Sequence, residues 1–228
     1  EPKGIRFDSG DLAYLSKRAR RMLDEAGYPD AIFCASGDLD EYLIASLKNQ
    51  GAKIDLWGVG TKLITSADMP ALGGVYKLSA LYPKEGGEVP KIKLSDNSDK
   101  ITNPAFKDVY RIYDNKTGKA EADLIVVRGE KIDTGKPLTI FHPKDTWKRT
   151  TFTDYSVRQL TVPVIRGGKL VYELPPLSAI CDYAEKEKET FWDEYKRLDN
   201  PHVYKVDLSQ KLYDIKNKLI SEIRAENA

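Results

Sequence analysis

The chain has 228 residues, which is enough for one large domain or two modest ones. Hydrophobic residues make up 41% of it, charged residues 31%, and the formal net charge is +1, so the charge does not indicate nucleic acid or an anionic membrane as a partner. No apolar run approaches the roughly 20 residues that a membrane-spanning helix requires.

The first eighty residues read as repeated strand–turn–helix units. Residues 5–7 are predicted to form a short buried strand that ends in the acidic turn Asp8-Ser9-Gly10-Asp11, and apolar residues from Leu12 to Ala26 then recur at helical spacing. Gly27 and Pro29 end this amphipathic helix. Further strands are predicted at residues 31–35, 54–57 and 75–81, and further helices at 39–47 and 62–65.

The spacing of these strands, a little over twenty residues, is typical of β/α units in a parallel sheet or barrel. Because parallel strands place their strand-to-helix turns at one end of the sheet, the first three turns are expected to face one pocket. Four strands cannot close an eight-stranded barrel. Together with the start at Glu1 without a methionine, this predicts that a barrel would include strands upstream of the sequence.

The composition changes after Tyr82, and we place a domain boundary there. Residues 1–82 are predicted to hold the β/α units, residues 83–175 a β-rich region, and residues 176–228 two helices. Hairpins are predicted to join residues 109–113 with 122–127 and residues 162–165 with 169–172. The first helix would run through Ile180 to Leu198, and the second, capped by Asp207 or Ser209, through Leu208 to Ile223.

All three turns carry residues suited to a phosphorylated sugar. Gly58, Gly60 and Thr61 would present backbone N–H groups at a helix N-terminus, where phosphates bind. Asp8 and Asp38 offer carboxylates for ribose hydroxyls or Mg²⁺. The alternatives are that Asp38, like Asp11, only caps a helix, and that the Gly-x-Gly turn is an ordinary one.

Arg6 lies two residues before Asp8, so strand alternation places both side chains on one face of the sheet. Arg6 could form an internal ion pair with Asp8 or another acid. It could also bind a carboxylate or phosphate of a ligand, for which the guanidinium geometry is well suited.

Cysteine and histidine give little sign of chemistry. Cys34 and Cys181 lie in apolar patterns and are predicted to be buried free thiols in a reducing compartment, which favours the cytoplasm. His142 and His202 lack partners at ligand spacing, so we predict no metal-ligating histidine and no nucleophilic triad.

Three stretches carry a resemblance to a known family. They are Gly-Ile-Arg-Phe-Asp-Ser-Gly-Asp-Leu from residue 4, Ala-Ser-Gly-Asp-Leu-Asp-Glu from residue 35 and Trp-Gly-Val-Gly-Thr-Lys-Leu from residue 57. Together with residues 71–78, they resemble nicotinate phosphoribosyltransferase, a type II phosphoribosyltransferase, and the β-rich region and terminal helices resemble its C-terminal extension.

The resemblance implies the C-terminal part of an irregular α/β barrel of the TIM type, followed by a small β-rich region and C-terminal helices. It implies that nicotinate and phosphoribosyl pyrophosphate give nicotinate mononucleotide and pyrophosphate, with ATP hydrolysis, in NAD biosynthesis. Mg²⁺ and a homodimer are also implied. Nucleic acid and membranes are not expected partners.

The resemblance also assigns roles to residues. Arg6 would face nicotinate and phosphate, Asp8 would hold the ribose hydroxyls, and both are taken as catalytic. The predicted substrate-binding residues are Arg6, Asp8, Ser9, Gly37, Asp38, Gly58, Gly60 and Thr61. The phosphorylated histidine of the family and the aromatic residues that stack on the nicotinate ring have no match here, so a polypeptide limited to these residues is expected to be inactive.

Two other functions remain open from the sequence. One is a related phosphoribosyltransferase that takes nicotinamide or quinolinate. The other is a fragment that binds a phosphate ligand or a partner chain without catalysis.

Overall fold

The structure, a computed structural model, describes residues 3–97 and 100–226. Glu1 and Pro2 lie outside these ranges, and the expectation of an upstream part was based on this start of the sequence. The chain divides into two compact units, Glu1–Val75 and Tyr76–Ala228. No helix in the described ranges has both the length and the apolar character required to cross a membrane.

The first unit is built from alternating strands and helices, as the repeat predicts. Its elements are β1 (Gly4–Phe7), α1 (Leu12–Glu25), β2 (Ile32–Ala35), α2 (Glu41–Asn49), β3 (Leu56–Trp57) and α3 (Thr61–Ile64). The three strands are parallel, in the order β1-β2-β3. They form an open sheet, and the described residues show no closed barrel.

One face of this sheet carries the core of the unit. Ala35 is fully buried among Leu12, Ala13, Leu39 and Leu47, which come from α1, α2 and the turn before α2. Phe7 and Trp57, which are in register with Ala35, pack against the same cluster. Side chains alternate along a strand, so Arg6, Cys34 and Leu56 lie on the opposite face of the sheet.

Helix capping settles one alternative left open by the sequence. The Asp11 carboxylate accepts a hydrogen bond of 2.9 Å from the Tyr14 N–H and caps α1. In the second turn the cap is Asp40, which accepts from the Leu43 N–H at 2.8 Å. Asp38 is therefore not the helix cap, and its carboxylate forms no hydrogen bond or ion pair with any described residue.

The predicted fourth strand at residues 75–81 is wrong. Only Ala80–Leu81 is a strand (β4), and it pairs antiparallel with β5 (Val89–Pro90) in the second unit. Val75, Tyr76 and Leu78 are exposed. An apolar run forms a strand only where a neighbouring strand supplies hydrogen bonds, and β3, with two residues, has a very short free edge.

The second unit is centred on a mixed four-stranded sheet, whose strands in spatial order are β10 (Tyr155–Gln159), β6 (Lys107–Asp114), β7 (Ala120–Val127) and β13 (Lys205–Leu208). Its core is formed by Ile112, Ala122, Leu124, Val126, Ile140 and Tyr155. The elements after β5 are β6 (Lys107–Asp114), β7 (Ala120–Val127), β8 (Leu138–Phe141), β9 (Arg149–Phe152), β10 (Tyr155–Gln159), β11 (Ile165–Arg166), β12 (Lys169–Leu170), α4 (Leu177–Thr190), β13 (Lys205–Leu208) and α5 (Gln210–Glu226).

Both predicted hairpins of this unit form, as the antiparallel pairs β6–β7 and β11–β12. The sheet is not purely antiparallel, because β13 adds to β7 in parallel. The Ser209 hydroxyl accepts from the Leu212 N–H and begins α5, so Ser209, not Asp207, is the cap.

Two predictions for the end of the chain need correction. The helix predicted to reach Leu198 ends at Thr190, and a short 3₁₀ helix, Asp193–Tyr195, follows. Phe191 leaves the helical conformation because it and Tyr204 pack edge to face, with ring centroids 5.1 Å apart. Cys181, predicted to be buried, is exposed on α4, and Cys34 is half-buried; both thiols are free.

Candidate functional site

The three polar turns of the first unit meet at one edge of its sheet, as the sequence predicts. Phe7, Ala35 and Trp57 lie side by side at the carboxyl ends of their strands. The next residues continue this alignment, because the Ser36 N–H donates to the Phe7 carbonyl at 2.9 Å and the Gly58 N–H to the Ala35 carbonyl at 2.7 Å. Asp8, Ser36 and Gly58 therefore form a row across the sheet edge, which we call the edge row.

The Asp8 carboxylate is held from two sides within this edge row. Its Oδ1 accepts a short hydrogen bond of 2.5 Å from the Ser36 hydroxyl and lies 3.5 Å from an Arg6 guanidinium nitrogen. The side chains of Arg6 and Asp8 are 66% and 62% exposed. The ion pair that the sequence allowed therefore exists, but at an accessible edge where a ligand can reach both groups.

Gly37 allows the second turn to approach Asp8 closely. Its φ of +97° is in a region that side chains disfavour, and a Cβ built there would lie 2.5 Å from the Asp8 carbonyl oxygen. Asp38 follows with a φ of +46° and remains exposed. Any residue other than glycine at position 37 would push the second turn and Asp8 apart.

The third turn offers backbone N–H groups. Gly60 precedes α3, and its carbonyl accepts from the N–H groups of Leu63 and Ile64. The first N–H groups of a helix have no partners within the helix, so those of Thr61 and Lys62 are available to an anion. A side chain at position 58 would begin 3.4 Å from the Ser36 Cβ and would lie over the edge row. Because Gly58 has no side chain, the edge row remains uncovered.

The structure brings together the predicted residues unevenly. Arg6 and Asp8 form an ion pair, and Gly37 lies so close to Asp8 that an added Cβ would clash with the Asp8 backbone. Ser9 and Asp38, by contrast, are exposed and form no side-chain hydrogen bond or ion pair within the described part of the chain. A cavity of about 190 Å³ lies between the start of α2 and α3 and touches none of the predicted site residues. The edge row is thus an open surface, which we favour over that cavity because it holds Asp8 and lies beside Arg6, the two residues predicted to be catalytic.

Ser36 is the residue that sequence reasoning missed. It follows the end of β2 as Asp8 follows the end of β1, and this equal offset was the available signal. Serine in a turn is common, however, and its contact with a residue 28 positions away depends on the strand register.

The sequence and fold were compared with known proteins. The model of the family "Nicotinate phosphoribosyltransferase C-terminal domain" matches residues 106–216. Nicotinate phosphoribosyltransferase from Bacillus subtilis (strain 168) is 46% identical over 222 residues, which are 97% of this chain and 45% of that protein. The enzyme of the same name from Dictyostelium discoideum is 35% identical, over 95% of this chain and 38% of its own length.

The fold has a solved counterpart. The crystal structure of human nicotinic acid phosphoribosyltransferase superposes with a TM-score of 0.71 at 23% identity, over 95% of this chain and 40% of that chain. At this identity the similarity establishes the fold alone. The chain spans less than half the length of these relatives. The resemblance to nicotinate phosphoribosyltransferases that the three turns indicated is confirmed.

Proposed function

This chain is a relative of the nicotinate phosphoribosyltransferases over nearly its whole length, and on that premise we propose that it forms the C-terminal part of such an enzyme. The reaction joins the ring nitrogen of nicotinate to the ribose C1 of phosphoribosyl pyrophosphate. The C1–oxygen bond to pyrophosphate breaks, and nicotinate mononucleotide forms for NAD biosynthesis. The nitrogen has a free lone pair, so no general base is required.

The observation that carries this proposal is the edge row, in which Asp8 lies between Arg6 and Ser36 at the meeting point of three parallel strands. In sheets of this kind, ligands bind outside the carboxyl ends of the strands. A carboxylate beside a guanidinium matches a substrate pair in which one carries hydroxyls and the other a carboxylate.

Each substrate group has a proposed partner. The ribose hydroxyls donate to Asp8, and the nicotinate carboxylate pairs with Arg6. The 5′-phosphate binds at the third turn, where Gly60 and Thr61 supply backbone N–H groups and Gly58, which has no side chain, allows the phosphate to approach closely. Ser9 and the Gly37-Asp38 turn complete the sugar side. Catalysis would come mainly from positioning the two substrates and from stabilising the leaving pyrophosphate.

Mg²⁺ and ATP belong to the proposal as cofactor and co-substrate. Mg²⁺ commonly binds to one or two carboxylates together with substrate phosphates. The residues fit this mode, because Asp8 is an accessible carboxylate whose Oδ2 accepts no hydrogen bond within the described residues. Within the described residues, no group of three acidic, histidine or cysteine side chains could hold a metal by itself. Bound Mg²⁺ would neutralise charge on the pyrophosphate.

The remaining expectations from the resemblance stay with this proposal. The three-stranded sheet would be part of an irregular α/β barrel, and residues 1–82 would hold the β/α units before the C-terminal extension. The enzyme would be a cytoplasmic homodimer, and this chain would be inactive without the remainder of the protein.

Arg6 also bears on the choice among pyridine substrates. Nicotinate and quinolinate carry a carboxylate on the ring, whereas nicotinamide does not, so an accessible guanidinium at the edge row favours the two acids. Quinolinate therefore remains the alternative substrate, and binding of a phosphate ligand without catalysis remains the alternative function.

Incubation of the complete protein with phosphoribosyl pyrophosphate, Mg²⁺, ATP and each of the three pyridines tests the proposal. Mass spectrometry should detect nicotinate mononucleotide from nicotinate and no product from nicotinamide. Product from quinolinate alone would assign the alternative reaction. Binding of phosphoribosyl pyrophosphate without product from any pyridine would support the non-catalytic alternative.

A further inference from the structure

The hydroxyl group of Ser36 has two acceptors within range but only one proton. It lies 2.5 Å from Asp8 Oδ1 and 3.4 Å from the Phe7 carbonyl oxygen. The Phe7 carbonyl already accepts from the Ser36 N–H at 2.9 Å. The proton therefore goes to the carboxylate, because the shorter contact is the charge-assisted hydrogen bond.

This hydrogen bond decides which oxygen of Asp8 meets a ligand. The hydrogen bond from Ser36 and the shortest approach of Arg6 both involve Oδ1. Within the described residues Oδ2 accepts no hydrogen bond, while the side chain as a whole is 62% exposed. The carboxylate is thus fixed through one oxygen and presents the other.

Ser36 is itself firmly placed. Its N–H continues the β1–β2 hydrogen-bond ladder, and the following Gly37 approaches the backbone of Asp8 so closely that a Cβ would clash. The hydroxyl is therefore positioned by the sheet and not by a flexible loop. A short side chain on a rigid element is suited to orienting a neighbouring group.

We propose that Ser36 is a positioning residue, which holds Asp8 through Oδ1 so that Oδ2 accepts from the ribose hydroxyls of phosphoribosyl pyrophosphate. This inference rests on the proposed function, and it adds a residue that acts only through Asp8. Ser36 should not contribute to nicotinate binding, because its proton is already used by the carboxylate.

The test compares four variants of the complete enzyme: Ser36→Ala, Ser36→Thr, Asp8→Asn and the double variant Ser36→Ala/Asp8→Asn. Ser36→Thr keeps the hydroxyl, and Gly58 beside it has no side chain to obstruct the added methyl. Ser46→Ala, on α2, is a serine control away from the edge row. Calorimetry gives the affinity for phosphoribosyl pyrophosphate, and steady-state kinetics give KM for each substrate.

Ser36→Ala should weaken phosphoribosyl pyrophosphate binding roughly tenfold and raise its KM, with the nicotinate KM unchanged. Ser36→Thr should restore most of this loss, and Ser46→Ala should show none. The double variant should bind no more weakly than Asp8→Asn alone, since Ser36 acts only through that carboxylate.

The outcomes separate this inference from the proposed function. If Asp8→Asn weakens binding but Ser36→Ala does not, or if Ser36→Thr fails to rescue while its thermal stability equals wild type, the positioning role is refuted. If the effects of Asp8→Asn and Ser36→Ala add fully, Ser36 acts on the ligand directly and the inference is also refuted. If Asp8→Asn itself binds normally, the ribose role of Asp8 in the proposed function fails instead.

Discussion

Replacing Gly37 by alanine should disturb the site through Asp8. The added Cβ would lie 2.5 Å from the Asp8 carbonyl oxygen, so the two turns would have to separate by roughly 0.9 Å to reach an ordinary contact of 3.4 Å. A misplacement near 1 Å can reduce catalysis about 100-fold. We therefore expect Gly37→Ala to lower kcat/KM for phosphoribosyl pyrophosphate by about 10- to 100-fold. This corresponds to a loss of about 1.4 to 2.7 kcal/mol of transition-state stabilisation.

Gly27→Ala is the matched control for backbone strain. Gly27 also has a positive φ, +85°, but a Cβ there would meet nothing within 4 Å. Both variants should lose about 1–2 kcal/mol of stability from the left-handed backbone, and Gly37→Ala should lose more because of the clash. Denaturant unfolding and steady-state kinetics measure the two effects. Equal stability loss and equal kcat/KM in the two variants would refute the proposed coupling between Gly37 and Asp8.

Two other predictions concern single charges. Arg6→Ala should raise the nicotinate KM, because the ligand carboxylate loses its guanidinium partner, and near wild-type kinetics would remove that role from Arg6. In the second unit, burial raises the pKa of Asp207, so the folded state favours the protonated carboxyl group. The unfolded chain releases this proton at a pKa of about 3.9. The free energy of unfolding therefore falls as the pH rises from that value through the higher pKa of the folded state. Asp207→Asn should therefore increase the free energy of unfolding more at pH 7 than at pH 4; an equal change at both pH values would contradict this reasoning.

The shared edge of the three turns could be predicted because each unit carries a local signature. Gly27 and Asp11 mark the ends of α1, and the apolar spacing marks the strands. Parallel pairing then fixes on which edge the turns lie without knowledge of any long-range contact. Arg6 and Asp8 could likewise be assigned to one face, since strand alternation depends only on local backbone geometry.

The errors arose where the result depends on distant partners. Val75 to Leu78 had the composition of a strand but no adjacent strand with which to pair. Strand β13 was missed because four residues, Lys205–Leu208, are stabilised by parallel pairing with β7, which lies some eighty positions earlier. The contact between Ser36 and Asp8 required the exact pairing of β1 with β2, which composition and periodicity do not give.

The role of Asp8 is the central claim about this site, and its removal tests that claim most directly. Asp8→Ala should be prepared in the complete enzyme and titrated calorimetrically with phosphoribosyl pyrophosphate and Mg²⁺, and separately with nicotinate. The loss of the ribose acceptor should weaken phosphoribosyl pyrophosphate binding by tenfold or more, on the order expected for charge-assisted hydrogen bonds, and should affect nicotinate much less. Unchanged affinity for phosphoribosyl pyrophosphate would contradict the assignment of the edge row as its binding site.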